Sequence, residues 1–183
     1  NLIDQIRKQK IDFVVVNAEN ADVSGVGLTN EICEDFFSCG VNVITTGNHV
    51  WDQKDIMSYI EKEYRLLRPK NLIEPAPGKG FEIYKAQNEN RVGVLNLMGN
   101  VFMKKCDDVF EISKKFIKDY KLKRDFDFLI IDFHGEITSE KNAIGHFFDG
   151  KATLVVGTHT HIPTNDARVL KNGTAYQTDA GMC

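Results

Sequence analysis

No apolar run in this sequence approaches the ~18 consecutive residues that suggest a membrane-spanning helix. Nor is there a surplus of positive charge. The 23 Lys and Arg residues stand against 26 Asp and Glu, a formal net charge of −3. A general nucleic-acid-binding surface needs an excess of basic side chains, so that class is disfavoured, although a local basic pocket for one phosphate is not. Cysteine is sparse: Cys33, Cys39, Cys106 and Cys183 include no C-x-x-C pair. Cys33 and Cys39 lie six apart on one expected helix, which does not put them on the same face. All four read as reduced thiols of a cytoplasmic protein, most of them acting as small buried hydrophobes. No signal-peptide pattern is present. Internal repeats, low-complexity tracts and flexible linkers are missing as well.

The 183 residues suffice for a single domain with a sizeable core, and 42% hydrophobic with 27% charged residues is ordinary for a globular protein. Residues 1–10 read as helix. "IDFVVVN" (11–17) and "VNVITT" (41–46) are continuous apolar strands, expected to be covered on both faces. Between them, Thr29 can cap a helix that Gly40 ends. A helix is expected from Asp52 to Ile60. Three of the four prolines fall in "RPKNLIEPAPGKG" (68–80), which reads as a long irregular connection. "FEIYKA" and "RVGVLNLM" are strands joined by a polar turn. Asp108 can cap a helix that buries Val109, Ile112, Phe116 and Ile117. "FDFLIIDF" (126–133) and "ATLVVGT" (152–158) are further buried strands. They flank a helix that Ser139 is placed to cap. "ARVLKNGTAYQT" reads as a hairpin turning at Asn172-Gly173. Strands alternating with helices argue for a layered α/β domain with a mixed sheet or two packed sheets.

The polar residues gather where these strands end. The first strand ends in Asn17-Ala18-Glu19-Asn20, the second in Gly47-Asn48-His49. The strand at 126–133 runs into His134, with Glu136 close by, and the strand at 152–158 into His159-Thr160-His161. Ligands of open α/β sheets bind outside the carboxyl ends of strands, so these groups are expected at one edge. Imidazole, carboxylate and carboxamide together suit divalent transition metals such as iron, manganese or zinc. Taken singly, each has a blander reading: Asn48-His49 as a turn, His134 as a core histidine, and Lys141 and Arg68 as solvated charges rather than phosphate contacts. Their co-occurrence favours the metal. His146 has no motif partner and reads as a surface or packing residue. Trp51 reads as core or site wall.

The constellation resembles the calcineurin-like metallophosphoesterases. Gly47-Asn48-His49 is similar to that family's GNH motif, and Gly157-Thr158-His159-Thr160-His161 to its GHxH motif with one inserted position. The strings "NAEN", "GNHVWD", "RLLRP", "NLMG", "DFHGEITSEK" and "VGTHTH" occur in order. They resemble those of a bacterial branch described as 2′,3′-cyclic-nucleotide 2′-phosphodiesterases, over nearly the whole chain.

The resemblance implies a layered sandwich of mixed sheets flanked by helices, and two metal ions, iron first with manganese or zinc as alternatives. Glu19 matches the carboxylate that bridges both ions. Asn20 and His161 match ligands of the first, and Asn48, His134 and His159 ligands of the second. His49 matches the general acid, which donates a proton while a metal-bridging hydroxide attacks phosphorus. Small nucleotides or phosphodiesters are the expected substrates, with RNA ends as a further partner class, no membrane, and a homo-oligomeric assembly. The family opens with a strand ending in Gly-Asp and continues beyond "GM". Residues 1–183 therefore read as the middle of such a protein, one domain lacking its first strand. Two alternatives stay open: a phosphomonoesterase or nucleotidase, and a non-catalytic regulatory protein that keeps the site.

Overall fold

In the computed structural model, residues 4, 8–73 and 75–182 are described. Most of the expected helix at 1–10 lies outside them. Twelve elements follow in the order β1 (Val15–Asn17), α1 (Asn30–Ser38), β2 (Val43–Thr45), α2 (Ile56–Tyr59), β3 (Phe81–Lys85), β4 (Arg91–Met98), α3 (Val109–Asp119), β5 (Phe128–His134), α4 (Thr138–Phe147), β6 (Leu154–Thr158), β7 (Arg168–Val169) and β8 (Ala175–Gln177).

Strands β1 and β2 form a parallel pair, and the others a six-stranded mixed sheet in the order β3-β4-β5-β6-β8-β7. Strands β4, β5, β6 and β8 are mutually parallel, whereas β3 and β7 run antiparallel at the two edges. The two sheets pack face to face. Val43, Leu67, Tyr84, Val92 and Val94 fill the space between them. The outer face of the large sheet carries Leu95, Leu97, Leu129, Ile131 and Val155 against Val109 and Phe116 of α3 and Ile144 of α4. The outer face of the small sheet puts Ile44 against Leu28, Cys33 and Ile56. The result is a sandwich of mixed sheets flanked by helices, the α/β class anticipated from the strand–helix alternation.

Local chemistry explains the boundaries. The Thr29 hydroxyl accepts from Ile32 N–H at the start of α1, and Gly40 follows its end at φ +96°. Asp108 accepts from the Phe110 and Glu111 N–H groups at the start of α3. Val109 and Phe116 are fully buried there, while Ile112 and Ile117 pack only partly against the core. Gly173, at φ +100°, turns the late hairpin, and Asp149 fastens it by accepting from Asn172 and Thr174.

Three expectations need correction. The strand at 11–17 is regular only over Val15–Asn17 and is half-buried, because its ladder partner β2 is itself three residues long. The helix expected at 52–60 shrinks to Ile56–Tyr59. The Asp52 and Gln53 side chains are turned to other tasks, Asp52 to His49 and Gln53 to the Val26 carbonyl. Ser139 lies inside α4 and does not cap it; the N-cap position is Ile137, whose side chain has no capping group.

Candidate metal centre

The carboxyl ends of β1, β2, β5 and β6 are tied together by one buried carboxylate. Asp132 Oδ2 accepts from Asn17 Nδ2 at 2.8 Å and from Thr45 Oγ1, and its Oδ1 accepts from Thr158 Oγ1 at 2.7 Å. Burial pushes the Asp132 carboxyl up, and these donors pull against that. Four strand ends therefore meet around one point, and the loops that leave them share one edge.

Glu19 and His134 are 3% and 1% exposed. His134 Nε2 lies 2.7 Å from Glu19 Oε2, 3.0 Å from Asn48 Oδ1 and 3.1 Å from His159 Nδ1. One ring nitrogen carries at most one proton, and its neighbours here are a carboxylate oxygen, an amide oxygen and another ring nitrogen. So many lone pairs turned on one point repel each other unless a cation sits among them. The ligand atoms of Glu19, His134 and His159 lie within 4.8 Å of one another.

Hydrogen bonds on the far side of each ring orient it. The Thr158 hydroxyl donates to Asp132 Oδ1 and so accepts from His134 Nδ1–H at 3.0 Å, which leaves the His134 Nε2 lone pair facing the cluster. Glu136 Oε2 stands 3.1 Å from His159 Nε2, so the Nδ1 lone pair of that ring faces inward. Glu136 thus contacts His159, 23 residues further along the chain. Burial, first of all, holds the His159 imidazole below its ordinary value, which favours the neutral form that can ligate. Burial would raise Glu19; the His134 ring and the His49 N–H outweigh it and hold the carboxyl low.

Gly47 makes this approach possible. A Cβ there would stand 2.2 Å from His134 Cδ2 and 2.5 Å from Glu19 Oε1, so every larger residue would displace the cluster.

Asn20 and His161 meet beside it, Asn20 Nδ2 standing 3.0 Å from His161 Nε2. Asn20 Oδ1 is buried and has no hydrogen-bond partner among the described residues. A buried carboxamide oxygen without a donor is costly, and a cation would satisfy it. The donor chemistry of both groups therefore fits divalent ions, as does the orphaned oxygen.

His49 is held by both its backbone and its ring. Its N–H donates to Glu19 Oε1 at 2.7 Å, and its Nδ1 is 2.5 Å from Asp52 Oδ2. Hydrogen bonding to His49, helped by the Lys104 ammonium 3.4 Å away, holds the Asp52 carboxyl below the usual range. Nε2 of His49 is thereby left for a substrate.

All seven sequence-nominated residues thus gather here: Glu19, Asn48, His134 and His159 in one cluster, Asn20 with His161, and His49 on Glu19. Asp52, Asp132 and Thr158 were missed. Asp52 was legible as the carboxylate three residues after His49. Asp132 and Thr158 carried no signal beyond lying in strands. Lys141 and Arg68 are buried and not solvated. Arg68 is 4% exposed and donates to the carbonyls of Pro69, Ala76 and Pro77, and Lys141 is buried against Asp179. Trp51 is partly buried against the core around Leu28, Cys33 and Ile44, and His146 is exposed. Cys33 is a buried free thiol pushed up to about 12, first by burial and then by Glu34; Cys39 and Cys106 are also free, and Cys183 lies outside the described residues. No helix among the described residues is long and apolar enough to cross a membrane.

Residues 1–183 match the family described as YmdB-like protein. The chain is 45% identical over 175 residues to the 2′,3′-cyclic-nucleotide 2′-phosphodiesterase of Bacillus subtilis, covering 96% of this chain and 65% of that relative. A crystal structure titled as a novel phosphatase from Mycoplasma pneumoniae superposes with a TM-score of 0.88 at 40% identity, covering 100% of this chain and 65% of that one. A hypothetical protein from Thermus thermophilus superposes with a TM-score of 0.90 at 38% identity, covering 100% of this chain and 69% of its own length. The chain therefore spans slightly less than two thirds of the curated relative from Bacillus.

Proposed function

The chain belongs to the YmdB-like family, and on that premise we propose that it is a metal-dependent phosphodiesterase acting on 2′,3′-cyclic nucleotides or related small phosphodiesters. The substrate class comes from the name of the Bacillus subtilis relative. The single observation that carries the reading is the convergence of Glu19, Asn48 and His159 on His134, with His49 fastened to the same Glu19.

In this reading Glu19, Asn48, His134 and His159 hold one divalent ion, and Glu19, Asn20 and His161 contribute to a neighbouring one. When bound, two such ions would polarise phosphoryl oxygens and bring the pKa of water toward neutrality. Iron, manganese and zinc all suit the donors. The residues themselves do the rest. Asp52 fixes the His49 ring by Nδ1, so that Nε2 is the atom that gives a proton to the departing ribose oxygen. The oxygen of water joins phosphorus, the bond from phosphorus to the 2′ oxygen breaks, and that oxygen takes the His49 proton; one water proton stays on the phosphate and the other passes to solvent, from which His49 is reprotonated. A nucleoside 3′-phosphate remains. RNA ends that carry the same cyclic phosphate belong to the same class.

The test is turnover of 2′,3′-cyclic AMP and of p-nitrophenyl phosphate with added Mn²⁺ and after chelation. Release of 3′-AMP that chelation abolishes is the expected result. Hydrolysis of the monoester alone would make the protein a phosphatase or nucleotidase. Metal uptake with turnover of neither would leave a binding protein.

A further inference from the structure

His159 and His161 both sit on left-handed backbone, at φ 106° and 64°. Residues with a Cβ adopt such conformations only where the surroundings impose them. The residue between them is the one that is tied down. Thr160 donates to Asp179 Oδ2 twice, from its backbone N–H at 3.2 Å and from its hydroxyl at 2.8 Å. The same oxygen accepts from Lys141 Nζ at 2.6 Å, and Gly181 N–H donates to Oδ1 at 2.8 Å. Lys141 and Asp179 are each 1% exposed. A fully buried ion pair gains little stability over an apolar pair of similar size, so its use lies in what it holds. It joins α4 to the segment after β8, and that segment presses on the end of β6. A Cβ on Gly157 would stand 1.8 Å from the Thr178 carbonyl oxygen, and Ala180 N–H donates to the Gly157 carbonyl.

We propose that Asp179, charge-balanced by Lys141, is a positioning residue that holds the His159-Thr160-His161 turn in its left-handed form through Thr160, and so presets both imidazoles for a metal ion without touching it. The proposal rests on the metal-binding reading of the site. Both histidines hang from this one turn, His159 reaching the buried cluster and His161 reaching Asn20. A single anchor between them therefore sets the two rings relative to each other. Outer partners of ligating side chains typically change metal affinity by ~10–100-fold when removed.

Co²⁺ serves as the probe, because its visible absorption reports ligand geometry in the protein with no substrate present. Thr160→Val removes the hydroxyl donor, and Thr160→Ser keeps it. The double substitution K141M/D179N removes both charges without leaving either buried alone. Co²⁺ affinity is expected to fall ~10–100-fold in Thr160→Val, with an altered spectrum, a melting temperature close to the parent's, and faster amide exchange at residues 159–161 in the metal-free protein. Thr160→Ser should restore affinity and spectrum. The double variant should bind as weakly as Thr160→Val, and it decides the matter if Thr160→Val does not fold. Parent-like Co²⁺ affinity and spectrum in Thr160→Val or in the double variant would overturn the proposal. So would unchanged loop exchange in Thr160→Val, even with weaker binding. If the parent takes up no Co²⁺, the metal reading itself falls, whatever the exchange data show for the turn.

Discussion

The two halves of the site are built on opposite terms. Glu19, Asn48, His134 and His159 come from the ends of four separate strands and meet in one cluster, with His134 and Glu19 closed off from water. Asn20 and His161 meet at the surface, and His161 is exposed. The buried half is preorganised. Its rings are oriented from behind by Thr158 and Glu136, and its close approach depends on Gly47 having no side chain. The exposed half rests on one contact and on the turn between the two histidines. A carboxylate buried among lone pairs is unfavourable until a cation compensates it, whereas in the outer pair solvent reaches the exposed His161 and only Asn20 Oδ1 is buried without a partner. The inner half is therefore expected to bind metal more tightly, and the outer half to exchange it.

The largest effect that would break this comparison is at His134. His134→Ala should abolish binding of the tighter Co²⁺ equivalent and reduce turnover below detection, because it removes the nitrogen on which three other groups converge. His161→Ala should spare the tight equivalent and weaken only the second. Calorimetric titration of both variants distinguishes them. Equal losses at both equivalents would mean that the halves are a single site and that the contrast in burial has no bearing on affinity.

His49 sharpens the contrast by belonging to neither half as a ligand. His49→Ala should leave both equivalents bound and lower kcat for 2′,3′-cyclic AMP by ~10²–10⁴-fold, as the loss of a general acid does. Asp52→Asn should give a smaller decrease in kcat, since the ring keeps a partner at Nδ1 but one without charge. Loss of metal from His49→Ala would instead make His49 a ligand.

Gly47→Ala tests the packing of the inner half directly. The added methyl must displace the His134 ring or the Glu19 carboxylate, and overpacking of that kind costs about 1–3 kcal/mol. A lower melting temperature together with weakened tight binding is expected, and unchanged values in both would show that the cluster is looser than its distances imply.

Much of this was legible in the sequence, for a physical reason. Strand ends are marked by apolar runs that stop, and the groups that follow, Glu19, Asn48, His134 and His159, are of types that seldom gather except around a cation. The alternation of strands and helices likewise carried the layered α/β class, the sandwich itself came from the family resemblance, and the caps at Thr29 and Asp108 carried helix starts. What failed was burial of charge. Lys141 and Arg68 read as solvated because lysine and arginine usually are, and nothing local announces that Asp179, distant in the chain, closes over one of them. The short α2 failed for a related reason. Asp52 suits a helix start and Gln53 a helix interior, but their side chains are committed to His49 and to the loop at Val26, and tertiary demand overrides a weak local preference.

The smallest expected effect concerns the anchorage of the outer half. The chain leaving His161 is fastened by Asp166, which accepts from the Thr164 hydroxyl at 2.6 Å, from the Thr178 N–H at 3.1 Å and from the Thr178 hydroxyl. Burial would raise this carboxyl, but these donors and Arg168 bring it down to about 2. An unfolded aspartate titrates near ~3.9. A carboxyl depressed on folding contributes stability that is fully present above the unfolded value and is lost as pH falls through the folded one. Asp166 should therefore stabilise the fold at pH 5 and above and cease to do so between about pH 4 and 2. The side chain is 30% exposed, so solvent screening reduces the contribution to about 1–2 kcal/mol. Urea midpoints measured from pH 6 to pH 2 on the parent and on Asp166→Asn should converge as the pH drops, with the parent losing more. Because Asp166 holds the segment after His161 and not the interior cluster, backbone amides at 162–166 should lose exchange protection in acid before those of β5. Parallel midpoint curves for the two proteins, or simultaneous loss of protection in both segments, would show that the outer half shares the anchorage of the inner one.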